Sequence, residues 1–221
     1  MEAHKEDPDV FAVGEYRYAM DFIQNILKTE TSTEDQLIIL NFMLDVVKED
    51  LKMDLLSYIF YSKGDFSREF NWPFPVKYRD EMDNELSIEE GTAEVDLTQN
   101  CVLVLPWSRN RLCNQIVNIF KNDFCYDERN HKAWYFPYIS LCYVHNGRHS
   151  VASGVVHKKG KIKAQQYDIT KLFPHISTDG QYWYSSHNNN NLGRLADFRL
   201  GIIYEIARVK HKLEQTASQT K

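Results

Sequence analysis

The spacing of apolar residues changes along the chain, from a helical period in the first 60 residues to short strand-like runs after residue 100. Apolar residues three and four apart predict a helix between Gly14 and Thr29. Thr33-Glu-Asp-Gln36 has the form of a capping box, so a second helix is expected to begin with Thr33 as its cap. Gly64 is expected to cap its C-terminal end. This change of period predicts an α+β protein with an N-terminal helical region.

Residues 65–98 have a different character. Asn71-Trp-Pro-Phe-Pro75 resists a regular helix, because proline lacks an N–H group and restricts the residue before it. Eight carboxylates and no basic side chain lie between Asp80 and Asp96. We interpret this segment as an irregular acidic connector. An acidic flap over a basic groove and a set of metal-binding carboxylates are the alternatives.

Short hydrophobic runs alternate with helical patterns after residue 100. The expected elements are a strand at 101–105, a helix at 110–121, a strand or hairpin at 134–144, a short helix at 150–157, a strand at 161–169 and an amphipathic helix at 192–213. The expected organisation is a helical region at 1–64, the connector at 65–98, a small mixed α/β domain at 99–191 and a C-terminal helix and tail at 192–221.

Charge is divided unevenly between the two halves of the sequence. Residues 1–100 carry 23 acidic and 9 basic side chains, whereas residues 101–221 carry 8 acidic and 17 basic ones. A basic half attracts anionic ligands such as nucleotides, phosphate or nucleic acid. Packing of two complementary surfaces against each other is the alternative explanation.

The sequence also indicates the cellular compartment in which the protein is expected to work. No apolar run reaches the ~18–20 residues that cross a bilayer, and the first ten residues are too acidic and polar for a signal peptide. The four cysteines lack CxxC spacing and are expected to be reduced and mostly buried. We therefore expect a cytoplasmic protein with no membrane partner and no structural metal.

The segment from Ile139 to Gly154 combines a hydrophobic run, an Asn-Gly turn and the start of a helix. Gly147 permits a bend that other residues resist. Such a corner presents backbone N–H groups and the positive end of a helix to an anion, with Asn146, Arg148 and Ser150 beside it. An ordinary tight turn is the alternative interpretation, because Asn-Gly is a common turn dipeptide.

The order of these parts resembles the core of the ParB/sulfiredoxin superfamily over residues 101–167. That core begins with a strand ending in a Leu-Pro box, as in Val102-Leu-Val-Leu-Pro106, and continues with an Arg-containing turn, as in Ser108-Arg-Asn-Arg-Leu112. Its phosphate-binding corner is matched by Gly147-Arg-His-Ser150. The resemblance predicts a ParB/sulfiredoxin-like domain at residues 99–191.

The resemblance implies that a nucleoside triphosphate binds at the corner together with Mg²⁺. Arg148 would hold the β- or γ-phosphate, with the N–H groups near His149 and Ser150. Arg109 or Arg111 would approach from the first turn. His149 would be catalytic as a general base or would donate to phosphate, because imidazole titrates near neutral pH.

The chain departs from the superfamily pattern in several places. Sulfiredoxins place a catalytic cysteine directly after the corner glycine, where this chain has Arg148, so sulfinic acid reductase activity is excluded. Ser150 replaces the usual final Arg of the corner, and no helix-turn-helix domain follows where a partitioning ParB would have one. His145 and His149, four residues apart, offer a metal site only if one helix carries both.

Two functional hypotheses follow. The first is a nucleotide-binding protein of ParB/sulfiredoxin type that works as an NTPase, a phosphotransferase or a nuclease, with enzymatic activity itself left open. The second is a non-enzymatic accessory or regulatory module whose degenerate corner acts through protein or nucleic-acid contacts, the basic half being the nucleic-acid surface. Phage defence or mobile-element biology is a setting suggested by analogy alone.

Overall fold

The computed structural model describes residues 8–30, 32–62, 68 and 70–219, and Gly64, the expected cap, lies outside the described residues. Its helices and strands confirm the α+β class. The helices are α1 (Pro8–Thr29), α2 (Thr33–Tyr61), α3 (Arg109–Lys121), α4 (Arg148–His157) and α5 (Phe198–Gln219). The strands are β1 (Lys77–Arg79), β2 (Glu85–Ser87), β3 (Glu89–Asp96), β4 (Cys101–Val104), β5 (Lys132–Phe136), β6 (Leu141–Asn146), β7 (Lys161–Tyr167), β8 (Ile176–Thr178), β9 (Tyr182–Ser185) and β10 (Asn191–Arg194).

The chain divides into two compact units, each assembled from separate stretches of sequence. The first unit holds the described residues of 1–47, 72–87 and 170–221, and the second holds those of 48–71 and 88–169. The domains expected from composition were consecutive. The difference arises because strand pairing joins distant segments, as where β3 pairs with β7.

The second unit is built on a five-stranded sheet in the order β3-β7-β5-β6-β4. The outer pairs are β3 with β7, which is antiparallel, and β4 with β6, which is parallel. Parallel pairing puts the carboxyl ends of β4 and β6 side by side, and α3 and α4 follow these two ends. Both helices therefore begin at the same edge of the sheet, where open α/β sheets bind ligands.

The core of the second unit lies between this sheet and helices α3 and α4. Strand β4 is buried throughout, and the first four residues of β6 are buried as well. Val144 is fully buried and belongs to a cluster with Leu112 of α3 and Val151 of α4. The four cysteines are free thiols, two of them buried (Cys101 and Cys142) and two exposed (Cys113 and Cys125).

The first unit joins α1 and α5 to a three-stranded sheet in the order β10-β9-β8. The Tyr204 hydroxyl donates to the carbonyl of Ile176 at 3.0 Å, and the Tyr16 hydroxyl donates to the carbonyl of Thr178 at 3.0 Å. Each helix is therefore tied to β8 by a tyrosine that is itself buried.

The prediction of an irregular acidic connector is wrong for most of residues 77–96, because strands β1, β2 and β3 lie there. In β3 the acidic side chains face solvent while Val95 is buried. Glu94 pairs across to Lys161 of β7, with 2.7 Å between Oε1 and Nζ. Residues 89–96 are thus an edge strand rather than a flap, and their many carboxylates concealed the strand pattern.

Two helix starts differ from expectation by their caps. The Ser32 hydroxyl, rather than that of Thr33, accepts the N–H of Asp35 at 3.3 Å. The last helix begins at Phe198 rather than Leu192, because residues 191–194 form β10 and Asp197 accepts the first-turn N–H of Arg199 at 3.0 Å.

Within the described residues, no helix has both the length and the apolar character needed to cross a membrane.

The buried position of Val144 gives a test of the second unit's core. Val144→Ala should lower the free energy of unfolding by about 2 kcal/mol, because two buried methyl groups are lost and a cavity remains. Val156→Ala is the matched control, since this side chain on α4 is 63% exposed and should change stability by less than about 0.5 kcal/mol. Urea denaturation measures both, and equal effects would contradict the assigned core.

Candidate functional site

The corner between β6 and α4 is built around Gly147. This residue has φ +73°, a left-handed conformation that favours glycine. A Cβ at this position would lie 2.4 Å from Cδ2 of His131, closer than carbon atoms approach without bonding. Both the backbone conformation and the neighbouring ring therefore require glycine here.

The first turn of α4 leaves its amide groups available. The N–H of Val151 donates to the carbonyl of Gly147 at 3.1 Å and closes the first turn. The preceding N–H groups, of Arg148, His149 and Ser150, have no acceptor within the helix. Gly147 stands at the cap position and has no side chain to accept from them. The positive end of the helix is therefore open.

A cavity of about 510 Å³ lies at this corner. The lining residues are Trp107, Arg111, Asn114, Gln115, Asn130 and residues 145–150. They include two guanidinium groups and four amide side chains but no carboxylate. The cavity is therefore suited to an anion.

The structure brings five of the six predicted ligand residues together and places the sixth elsewhere. Asn146, Gly147, Arg148 and Ser150 line the cavity with Arg111, which stacks its guanidinium 4.7 Å from the ring centre of Trp107. Arg109 does not line it.

Arg109 has a different position and different partners. Its Nε donates to the carbonyl of Ile59 at 2.9 Å, and its Nη2 donates to the carbonyl of Ser62. Arg109 thus satisfies backbone carbonyls at the end of α2, which the helix itself leaves without donors.

His149, the predicted catalytic residue, is buried at the start of α4. Its Nε2 accepts the N–H of Ser108 at 3.1 Å, and the centroids of the His149 and Trp107 rings lie 5.1 Å apart in a T-shaped arrangement. Burial lowers the pKa of His149, and the nearby Arg111 and Arg148 lower it further. Because Nε2 accepts a backbone N–H, it carries no proton and the ring is neutral. This hydrogen bond links the loop after β4 to the first turn of α4. A catalytic role for His149 stays a prediction.

His145 and Arg148 form the other side of the corner. Nε of Arg148 donates to the carbonyl of His145 at 3.2 Å, which fixes the base of the guanidinium. The His145 ring packs 4.9 Å from Trp134. Burial lowers the pKa of His145, as do Arg148 and Lys132. Because His145 lies on β6 and His149 on α4, one helix does not carry both.

His131 was not singled out from the sequence, yet it supports the corner. Its Nδ1 accepts the N–H of Asp127 at 2.9 Å, and its Nε2 lies 2.8 Å from Oγ of Ser150. The ring stacks on Phe124 with 5.1 Å between centroids. No local pattern marks this residue, because its importance lies in a contact with a segment 16 residues further along the chain.

The cavity does not fit a protein-held Mg²⁺ ion. Magnesium prefers carboxylate and other oxygen ligands, and the charged lining groups are guanidinium groups. In the described part of the chain, no three His, Cys, Asp or Glu side chains are grouped so that they could hold a metal.

Residues 158–163, which directly follow α4, include four lysines, and two of these have structural partners. Nζ of Lys159 donates to the carbonyls of Ile119 and Asn122 at 3.0 and 3.1 Å, at the end of α3. Lys161 pairs with Glu94. This run therefore holds elements of the second unit together.

Comparison with known proteins gives a family but no function. The model of a family of unknown function (DUF6710) matches residues 2–217, so the chain belongs to that family. No curated protein and no solved structure matches the chain. The resemblance to the ParB/sulfiredoxin superfamily stays a prediction.

The requirement for glycine at the corner can be tested by stability. Gly147→Ala should lower the free energy of unfolding by more than about 2 kcal/mol, because alanine is strained at positive φ and its Cβ displaces His131. Gly14→Ala is the matched control, because Gly14 lies in α1 and a Cβ at this position would have no neighbouring atom within 4 Å. This variant should raise the free energy of unfolding by about 0.5–1 kcal/mol. A Gly147→Ala variant as stable as the wild type in urea would contradict the described corner.

The histidines of the second unit predict acid sensitivity. The pKa values of His131, His145 and His149 are all lowered in the fold, first by burial. The unfolded chain therefore binds more protons, and the stability of the fold is fully present above about pH 6.5 and is lost as the pH falls. We expect the free energy of unfolding to fall by more than about 1 kcal/mol between about pH 7.5 and 5.5. Urea titrations that give equal or greater stability at the lower pH would contradict this.

Proposed function

We propose that this member of the DUF6710 family is a nucleotide-binding protein that holds the phosphates of its ligand at the Gly147 corner. The observation that carries the proposal is the convergence of the open first turn of α4 with Arg111 and Arg148 in a cavity without carboxylates.

A phosphate group matches the donors of the cavity. Helix N-termini bind phosphate through backbone N–H groups, and a left-handed residue next to a right-handed one is a general arrangement for anion-binding concavities. Gly147, which is left-handed and directly precedes α4, supports the proposal for this reason. Arg148 adds a guanidinium beside these groups, and Arg111 adds a second from α3. Guanidinium groups bind phosphate oxygens in pairs.

The rest of the cavity supports a nucleotide over inorganic phosphate. Its volume of about 510 Å³ lies within the range of sites for small organic ligands. Trp107, which is 47% exposed, offers an aromatic surface on which a base can stack. Asn114 and Gln115 bring amide groups, which pair with the edges of bases.

The chemistry of the lining favours binding over turnover. No carboxylate is present to position a metal ion or a water molecule, and Nε2 of His149 already accepts a hydrogen bond. We therefore propose a nucleotide-responsive binding protein, which combines the two hypotheses drawn from the sequence. NTPase, phosphotransferase and nuclease activities stay predictions.

The proposal is tested by titrating ATP, CTP, GTP and UTP, each with and without Mg²⁺, in thermal-shift and calorimetric experiments. A ligand that binds the native state raises the melting temperature by mass action. Arg148→Ala should lower the affinity for the preferred nucleotide by about 10- to 100-fold, because hydrogen bonds to a charged group contribute about 1.5–3 kcal/mol. The fold should persist, since Arg148 is outside the core cluster.

Lys163→Ala is the matched control for charge. Lys163 is an exposed lysine on β7, and it does not line the cavity. Nucleotide affinity should be unchanged in this variant. If no nucleotide binds at millimolar concentration, or if both variants lose affinity equally, the proposed site is wrong. The alternative from the sequence, a module that acts through protein or nucleic-acid contacts, would then stand.

A further inference from the structure

The hydrogen bonds of His131 form a chain with a single possible direction. The backbone N–H of Asp127 can only donate, so Nδ1 of His131, at 2.9 Å, must be the unprotonated nitrogen. Nε2 then carries the proton and donates to Oγ of Ser150 at 2.8 Å. The Ser150 hydroxyl in turn donates to the carbonyl of Gly147 at 3.0 Å.

This direction requires a neutral imidazole. A second proton on Nδ1 would point at the N–H of Asp127, and two donors cannot bond to each other. The same direction argues against Ser150 as a nucleophile activated by His131, because the Nε2 that would take its proton already holds one. The ring is 3% exposed and stacks on Phe124 and Tyr126, so it has little room to turn away.

Burial and the neighbouring carboxylate shift the pKa of His131 in opposite directions. The Asp127 carboxylate favours a proton on His131, whereas burial disfavours it more strongly, so the pKa of His131 is lowered. The titratable and charged groups on the elements around the ring are Asp123, Cys125, Tyr126, Asp127, Glu128 and Arg129 in its own loop, Lys132 and Tyr135 on β5, and Arg148, His149 and His157 on α4.

Protonation of the ring would act directly on the first turn of α4. The Asp127 bond would be replaced by repulsion, and the ring would have to move from its place against Gly147. Ser150 would lose the donor that sets its hydroxyl, and its bond to the Gly147 carbonyl would no longer be fixed. The N–H groups of this turn are the anion donors of the proposed function.

We propose that His131 is a positioning residue for the anion-binding corner, and that its neutral form is required for binding, so that weak acid weakens the site. This inference rests on the proposed function and gives that site a form of regulation. The direction of this pH dependence is unusual, because protonation of a histidine beside a ligand normally strengthens the binding of an anion. Here His145 and His149 would act in that normal direction, and His131 would act against it.

The test measures the affinity of inorganic sulfate by NMR chemical-shift titration of the full chain between about pH 7.5 and pH 5. Sulfate is chosen because its own charge stays constant over this range. Wild-type affinity should fall below the pKa of His131 by at most about tenfold for each pH unit, because the neutral fraction of His131 falls while protonation of His145 and His149 offsets part of the loss. His131→Gln keeps a donor for Ser150 and cannot be protonated, so its affinity should not fall in acid.

His157→Gln is the matched control at the other end of α4, where Nε2 of His157 lies 3.2 Å from the carbonyl of Ile116. This variant should keep the wild-type pH profile. Nitrogen chemical shifts of the His131 ring provide a readout that does not depend on binding, and they should report a protonated Nε2 and a bare Nδ1 at neutral pH.

The outcomes separate the two claims. Sulfate affinity that stays constant or rises in acid in the wild type, or a His131→Gln profile identical to the wild type, would overturn the role of His131. A ring protonated on Nδ1 at neutral pH would overturn it as well. Absence of sulfate binding at neutral pH, with the ring in the described state, would instead overturn the anion site on which this role rests.

Discussion

The contact between Gly147 and His131 is the constraint on which the candidate site depends. Residue 147 lacks a side chain, so the ring can lie where a Cβ would otherwise be, 2.4 Å from Cδ2. This approach lets Nε2 reach Ser150 in the first turn of α4. The same missing side chain leaves that turn without a cap, so its N–H groups remain available to a ligand.

The pairing of β4 with β6 supplies the second half of the site. These strands run parallel, so the loops that leave them meet at one edge of the sheet. One loop carries Trp107 and leads to Arg111, and the other consists of Gly147 and leads to Arg148 at the start of α4. The N–H of Ser108 joins the first of these loops to α4 by donating to Nε2 of His149. The buried imidazole of His149 accepts this bond in its neutral form. It therefore holds the two segments together without adding a positive charge beside the two guanidinium groups.

Local signals could be predicted from the sequence, and long-range contacts could not. The hydrophobic run of β4 and the turn at Gly147 are each encoded within a few consecutive residues, and the structure has both. Strand β3 was missed because its carboxylates lie on the solvent side of an edge strand, where they are tolerated. His131 was missed because its partner Ser150 is 19 residues away.

Arg109 and Arg111, in the first turn of α3, show the same limit of prediction from sequence. Residues two apart on a helix point about 200° from each other, so Arg109 and Arg111 cannot both face one cavity. Sequence alone does not say which of them faces it. The choice is made by the carbonyls at the end of α2, which accept from Arg109 and leave Arg111 to line the cavity.

The positive character of the cavity comes from groups that do not titrate near neutral pH. Guanidinium groups stay protonated, and the amide groups of a helix N-terminus carry fixed partial charges. Burial, followed by the arginines beside them, lowers the pKa values of His145 and His149 and so disfavours their charged forms. The attraction of the cavity for an anion is therefore steady around neutral pH. Protonation of His145 and His149 in acid would strengthen this attraction, whereas protonation of His131 would weaken the site by displacing a ring whose hydrogen bonds allow only the neutral form.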